Sequence, residues 1–294
     1  MKTILWIAAF FAFTQLLGIF VGVVLIENAK MVPEIAELSI VTPAQASDPL
    51  YSLVFLFYVI FGAAIILIVT RFYKGMMLFR FLEFFVVATS SAVVFFAFAI
   101  VLGLDLIASM LASGILAAIF AGAKFLYARI KNASTIISSA GVGALFGFSV
   151  GFIPTLLCVL GLSLYDYIAV FKTRHMITLA KELGTRQLSF SVTAKTLPAR
   201  REQESEQKYV QRAQKEGERM DLGSGDLAIP LMLAVSAYKL GGIGNSLAIA
   251  LGSTVGIYLT LWFVSKRRVF LPALPPICLA GIAGLLVYKL MGMP

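Results

Sequence analysis

The sequence is poor in the residues that hold metals and in charge. It has one histidine, His175, with no cysteine or histidine cluster around it, which argues against a metal site, and no cofactor is implied. Its two cysteines, Cys158 and Cys278, lie inside apolar segments, where a thiol behaves as a small buried hydrophobe rather than as half of a disulfide. Charged residues make up only 13% of the chain, against about 25% in soluble domains. That shortage excludes an ordinary soluble globular protein.

Apolar residues fill the gap, at 60% of the 294 positions with a mean hydropathy of +0.94. A helix needs about 20 apolar residues to cross a bilayer. Nine runs are candidates, approximately 4–26, 50–70, 79–102, 105–123, 134–152, 154–172, 226–240, 243–264 and 272–291. The expected fold class is an all-α, integral, multi-pass membrane protein with nine transmembrane helices. Ile4–Ile26 is too long for a removable signal core, and the cleavage-like Ala44-Gln45-Ala46 lies well beyond it, so a retained first helix is expected. The fifth run is rich in glycine and serine, which suits close helix packing. The seventh is short, and it can span only if its start lies below the membrane surface, in protein or in a water-filled cavity.

Loop charge sets orientation. With Lys2 inside, Arg71, Lys74, Arg80, Lys124, Arg129, Lys131, every Lys and Arg from Lys172 to Arg219, and Lys266, Arg267 and Arg268 share that side. Only Lys30, Lys239 and Lys289 fall outside, and the first outer loop carries Glu27, Glu34, Glu37 and Asp48 instead. By the positive-inside rule the N-terminus is cytoplasmic and the C-terminus external. The formal charge of +9 is therefore a topology signal spread over loops, which argues for a lipid bilayer as partner and against nucleic acid. Three regions follow: helices one to six in 1–172, a cytoplasmic polar loop in 173–221, and helices seven to nine in 222–294, all one membrane-embedded domain. Within the loop, His175–Leu183 reads as an interfacial extension of helix six. Gln187–Leu197 alternates enough for a weak strand, and Pro198–Arg219 is a charge-dense surface segment, mobile or helical.

Two charges contradict this pattern. Asp166 follows the apolar run Pro154–Leu164, and Asp226 opens the run Leu227–Tyr238. An ionisable group at bilayer depth costs roughly 2.5–3.5 kcal/mol on insertion scales, so each marks a functional site. Asp166 lies about 9 Å of helical rise before Lys172, in the cytoplasmic half of an inward-running helix. Asp226 lies at the cytoplasmic start of the next, outward-running one. Antiparallel neighbours then bring both carboxylates to similar depth, as a pair suited to acid/base chemistry.

Three motifs surround the pair. Tyr165-Asp166 sits in span six, Gly223-Ser224-Gly225-Asp226 opens span seven, and Pro272-Ala273-Leu274 opens span nine. The glycines permit unusual backbone angles and close approach of another chain. The start of a helix offers free amides and a positive dipole end to Asp226. Tyr165 cannot share the helix face of its neighbour, so it is a wall or positioning residue. Pro272, Pro275 and Pro276 lack amide hydrogens, which should leave unpaired carbonyls and an extended segment near the aspartates.

Together these motifs resemble the presenilin/signal peptide peptidase family of intramembrane aspartyl proteases, known for YD, GxGD and PAL signatures. The short termini and modest length are most like the archaeal homologues, which would place the chain in the cell membrane. The prepilin peptidases, also GxGD proteins, fit less well because they do not account for the PAL segment. The resemblance implies peptide-bond hydrolysis within transmembrane substrates by Asp166 and Asp226 and an activated water, without a covalent intermediate. It also implies that Tyr165, Gly223, Ser224, Gly225, Pro272, Ala273 and Leu274 border the active site. Ser224 stands where the family usually carries a bulky apolar residue, which bears on substrate preference. The helix-terminus argument favours Asp226 as the ionised member. The alternative from the residues alone is an ion- or proton-coupled transporter using the paired carboxylates; neither an internal repeat nor matching broken helices support it.

Overall fold

The computed structural model describes residues 2–40, 48–50, 76–127, 130–168, 191–196, 218–267 and 272–292, with scattered positions between 53 and 65. Helices dominate: α1 (Lys2–Met31), a four-residue α2 (Pro33–Ala36), α3 (Met76–Val101), α4 (Leu106–Leu126), α5 (Lys131–Ser149) and α6 (Phe152–Ile168), then α7 (Ser224–Gly241), α8 (Ile243–Arg267) and α9 (Leu274–Leu290). Two strands, β1 (Ser191–Thr196) and β2 (Glu218–Gly223), stand between α6 and α7. Every candidate span except the second coincides with a helix; the run 50–70 lies for the most part outside the described residues. By length and composition, four described helices can cross a membrane: Lys2–Met31, Met77–Val101, Leu106–Leu126 and Ile243–Lys266.

Helix α7 is the centre of the bundle. Leu227, Ala228 and the whole run Pro230–Ala237 are buried, so it has no exposed stripe along its middle. A helix apolar on all sides is one sheathed by protein, and α1, α5, α6, α8 and α9 all pack on it. The helix runs 18 residues, beginning before the short apolar run 226–240, and this sheath surrounds it.

Small residues let the sheath close. On α1, side chains added at Gly18 and Gly22 would strike Leu231 and Val235 of α7. On α5, a Cβ at Gly143 would lie 2.8 Å from the Ala228 carbonyl oxygen, and one at Gly147 would lie 2.7 Å from that of Met232. Both glycine pairs are spaced by four residues, the small-xxx-small pattern of membrane helix contacts. Contact positions rise together on each pair, so α1, α5 and α7 run parallel. Gly252 and Gly256 of α8 meet Ala280 and Pro276 of α9 in falling order, so these two helices are antiparallel. On α4, Ser109, Ser113, Ala117 and Ala121 recur every fourth residue as its buried stripe.

Polar links pin the far end of α7. Lys239 Nζ donates to the carbonyls of Phe148 at 2.6 Å and Val150 at 3.0 Å, capping the C-terminus of α5. The Tyr238 hydroxyl donates to Glu27 Oε1 at 3.0 Å, and Lys30 pairs with the same carboxylate at 2.7 Å. Two of the three cations that depart from the loop-charge bias are thus engaged locally. A second ion pair, Glu83 with Lys124, is buried between α3 and α4.

Candidate active site

On α6 the buried positions Pro154, Thr155, Cys158, Val159, Leu162, Ser163 and Asp166 fall three or four apart, forming one inward stripe. Asp166 is its last member, so the helix that buries this stripe necessarily turns the carboxyl inward. Tyr165, one position off the stripe, is 37% exposed. The wall reading suits that placement.

Asp226 occupies the third position of α7, whose N-cap is Gly223. The Gly223 amide donates to the Asp226 carboxyl. This is half of a capping box, the carboxylate reaching back to the N-cap amide. Gly223 has φ −65° and ψ 147°, ordinary extended backbone. The expectation of unusual angles is therefore corrected: among the described glycines only Gly103, Gly242 and Gly292 have positive φ. Close approach is the reason for glycine here, since a Cβ at Gly223 would lie 3.3 Å from Asp226 Oδ2. Gly225 is exposed, with open space where its side chain would be. The Ser224 carbonyl accepts from the Ser139 hydroxyl of α5 at 3.4 Å.

The third motif contributes an amide. Leu274 N–H donates to Asp166 Oδ2 at 3.4 Å. Pro275 and Pro276 follow it, and α9 begins at Leu274 itself. Ala273 is helical, with φ −83° and ψ −33°. The expected extended segment with unpaired carbonyls is thus replaced, at Ala273 and Leu274, by a helix start that offers a donor. Pro272 is buried beside it.

These elements bring the two carboxyls together. Asp166 and Asp226 interact electrostatically across the α6–α7 contact. Cys278, one turn into α9, lies within electrostatic reach of both. Among the described residues no group of three or more His, Cys, Asp or Glu is placed to hold a metal ion.

The sheet is part of the same site. β1 and β2 pair antiparallel, from Ser191 opposite Gly223 to Thr196 opposite Glu218, and β2 runs straight into α7. Val192 and Leu222 are buried with Ile7, Phe11, Leu227 and Ile277, so the sheet is plugged into core beside both motifs. The Asn132 side chain donates to the Thr193 carbonyl at 2.8 Å and accepts from the Thr193 amide at 3.1 Å. The Thr193 hydroxyl meets Asp221 across the strands. The weak strand expected in Gln187–Leu197 is present over its described part, whereas His175–Leu183 and nearly all of Pro198–Arg219 lie outside the described residues.

A family model described as signal-peptide peptidase, presenilin aspartyl protease matches residues 8–292. The chain belongs to this family. It is an intramembrane aspartyl protease. Two solved structures, each described as a presenilin family intramembrane aspartate protease, resemble this one along nearly their whole length. The first, in space group C222, has a TM-score of 0.68 at 23% identity, covering 98% of this chain and 99% of the other. The second, in space group P2, has a TM-score of 0.63 at 25% identity, covering 95% and 96%. A comparison with curated proteins found no match.

Sequence reasoning missed several parts of this presenilin-type site. Asn132 is a neutral polar residue in a helix and gives no signal beside two aspartates, and Ser139 is legible only as one of the small residues of the fifth span. β2 was missed because Glu218–Gly223 is short and charged, with Met220 and Leu222 as its only two apolar residues.

Proposed function

We propose that Asp166 and Asp226 are the catalytic dyad that hydrolyses peptide bonds within or near transmembrane segments. The observation that carries this reading is their shared position: the two carboxyls interact across the α6–α7 contact, Asp166 accepts the Leu274 amide of the PAL motif, and Asp226 accepts the Gly223 amide of its own motif. Two carboxylates this close cannot comfortably both ionise, so the pair holds one proton between them. The ionised member takes a proton from a water as its oxygen attacks the scissile carbonyl carbon. The protonated member donates to the carbonyl oxygen, giving a gem-diol. Proton transfer to the amide nitrogen then breaks the C–N bond, leaving a new carboxyl terminus and a free amine. No bond to the enzyme forms.

The loop-charge bias supports a cytoplasmic N-terminus, an external C-terminus and a dyad open to the cytoplasm. The same bias supports helices one to six in 1–172, a cytoplasmic loop in 173–221 and helices seven to nine in 222–294. Exposed Gly225 beside half-buried Asp226 fits access for water and substrate at this end of α7.

Helical peptide bonds are protected, so the substrate must be extended where it is cut, and the sheet next to the dyad supplies a template by β-augmentation. Thr193 turns its N–H and C=O to Asn132, so β1 is occupied on that side and the substrate strand adds alongside β2. Breaking the sheet should then slow cleavage. Ala194→Pro removes a backbone donor facing Met220 and is expected to lower kcat/KM about tenfold. Unchanged cleavage by this variant counts strongly against strand pairing.

The overall reading is tested in proteoliposomes with a fluorogenic transmembrane peptide, comparing wild type with Asp166→Asn and Asp226→Asn while monitoring ion flux. Cleavage lost in both variants is expected. Cleavage that survives both, or ion flux that depends on both with no cleavage anywhere, overturns it.

A further inference from the structure

Gln15 is fully buried midway along α1. Its Nε2 donates to the carbonyl of Leu227, the residue after Asp226, at 3.0 Å. Its Oε1 is buried with no partner among the described residues. A buried amide with one end unsatisfied costs stability, and an apolar side chain of the same shape would serve packing better. Packing therefore does not account for it.

What Gln15 touches does. Pro230 lies inside α7 and has no N–H, so the Asp226 carbonyl has lost its helical donor. The first turn of α7 is one hydrogen bond short at the residue that carries the carboxyl. The Leu227 carbonyl, with two lone pairs, can take the Gln15 amide in addition to its own helical donor. Gln15 also leads a seam. With Gly18 and Gly22 it forms one face of α1, meeting Leu227, Leu231 and Val235 in turn. The glycines bring the two helices into contact, and glutamine adds a directional bond where rotation of α7 would swing Asp226.

We infer that Gln15 is a positioning residue for the dyad: its carboxamide fixes the first turn of α7, and with it the direction in which Asp226 presents its carboxyl to Asp166. This rests on the dyad reading above. The titratable groups around the seam are Asp166, Asp226 and Cys278 of α9 within the site, and Lys2, Lys131, Asp221 and Lys266 at the same end of α1, α5, β2 and α8.

The test compares wild type, Gln15→Met, Gln15→Glu and Asp226→Asn in proteoliposomes, recording kcat, KM, the pH profile and thermal stability. Gln15→Met keeps the length but not the donor. It is expected to unfold no earlier than wild type and to keep KM within about twofold, while kcat falls roughly ten- to hundred-fold. Gln15→Glu can donate to Leu227 only as the neutral acid. Its turnover relative to wild type is expected to be highest at acid pH and to fall as pH rises. A residue of purely structural importance would lower stability and leave the pH profile unmoved. Wild-type kcat in Gln15→Met, or a Gln15→Glu ratio constant with pH, overturns the inference while the dyad stands if Asp226→Asn is inactive. An Asp226→Asn enzyme that still cleaves overturns both.

Discussion

Replacing either Asp166 or Asp226 with asparagine lowers cleavage of a reconstituted transmembrane peptide by at least about 10⁴-fold. Asparagine keeps the volume of the side chain and an oxygen that can accept from Leu274 or Gly223, so both variants fold and their thermal unfolding stays close to wild type. What is lost is the exchangeable proton and the charge. With one carboxyl gone, the remaining one can act as base or as acid but has no partner for the other role. Removing the second should therefore cost little more than removing the first, because residues that act as a unit are not additive. The check is initial cleavage rate per folded enzyme for both single variants and the double variant. Two separate rate losses that multiply in the double variant would indicate independent roles in place of a shared proton.

Gly147→Val is expected to destabilise the bundle by about 2–3 kcal/mol or more. A Cβ at Gly147 would sit 2.6 Å from Val235 Cβ and 2.7 Å from the Met232 carbonyl oxygen of α7. The second contact is backbone, so no side-chain rotation relieves it, and α5 must move off the central helix. Cleavage falls with the folded fraction. Gly225 gives the contrast: nothing lies within 4 Å of a Cβ there, so Gly225→Ala should unfold within about 0.5 kcal/mol of wild type. Any activity it loses then reports access to Asp226 and not packing. Thermal unfolding of the two variants in one detergent separates these cases, and a destabilised Gly225→Ala would contradict the open-site reading.

These predictions use features of unequal visibility in sequence. Asp166 and Asp226 stood out because charge in an apolar run is expensive, and the alternation of loop charge placed them at one depth. Helix positions were legible for the same reason, since hydropathy is a local property. The centrality of α7 was hinted at by the shortness of its apolar run, but the sheath around it depends on which faces carry Gly18, Gly22, Gly143 and Gly147, and that needs the packed bundle. A backbone donor for Asp226 was legible from its place at a helix start, and Gly223 supplies it, whereas the Leu274 amide was invisible because backbone donors carry no side-chain signature. Gly223 was assigned the wrong benefit: it needs room beside Asp226 and not a rare backbone angle. β2 is made by its partner β1 and by the anchoring of both in the core around Ile7 and Phe11, so its own residues do not announce a strand.

The proposal that two aspartates activate a water can be put to a single-turnover cleavage in water enriched in oxygen-18, with enzyme in excess over a transmembrane peptide and product masses read at once. Direct attack by water puts one heavy oxygen in the new carboxyl terminus of every first-turnover product, with no product from Asp166→Asn or Asp226→Asn. First-turnover product carrying ordinary oxygen would mean that a carboxylate of the enzyme had supplied it through a covalent intermediate, and the water mechanism would be wrong.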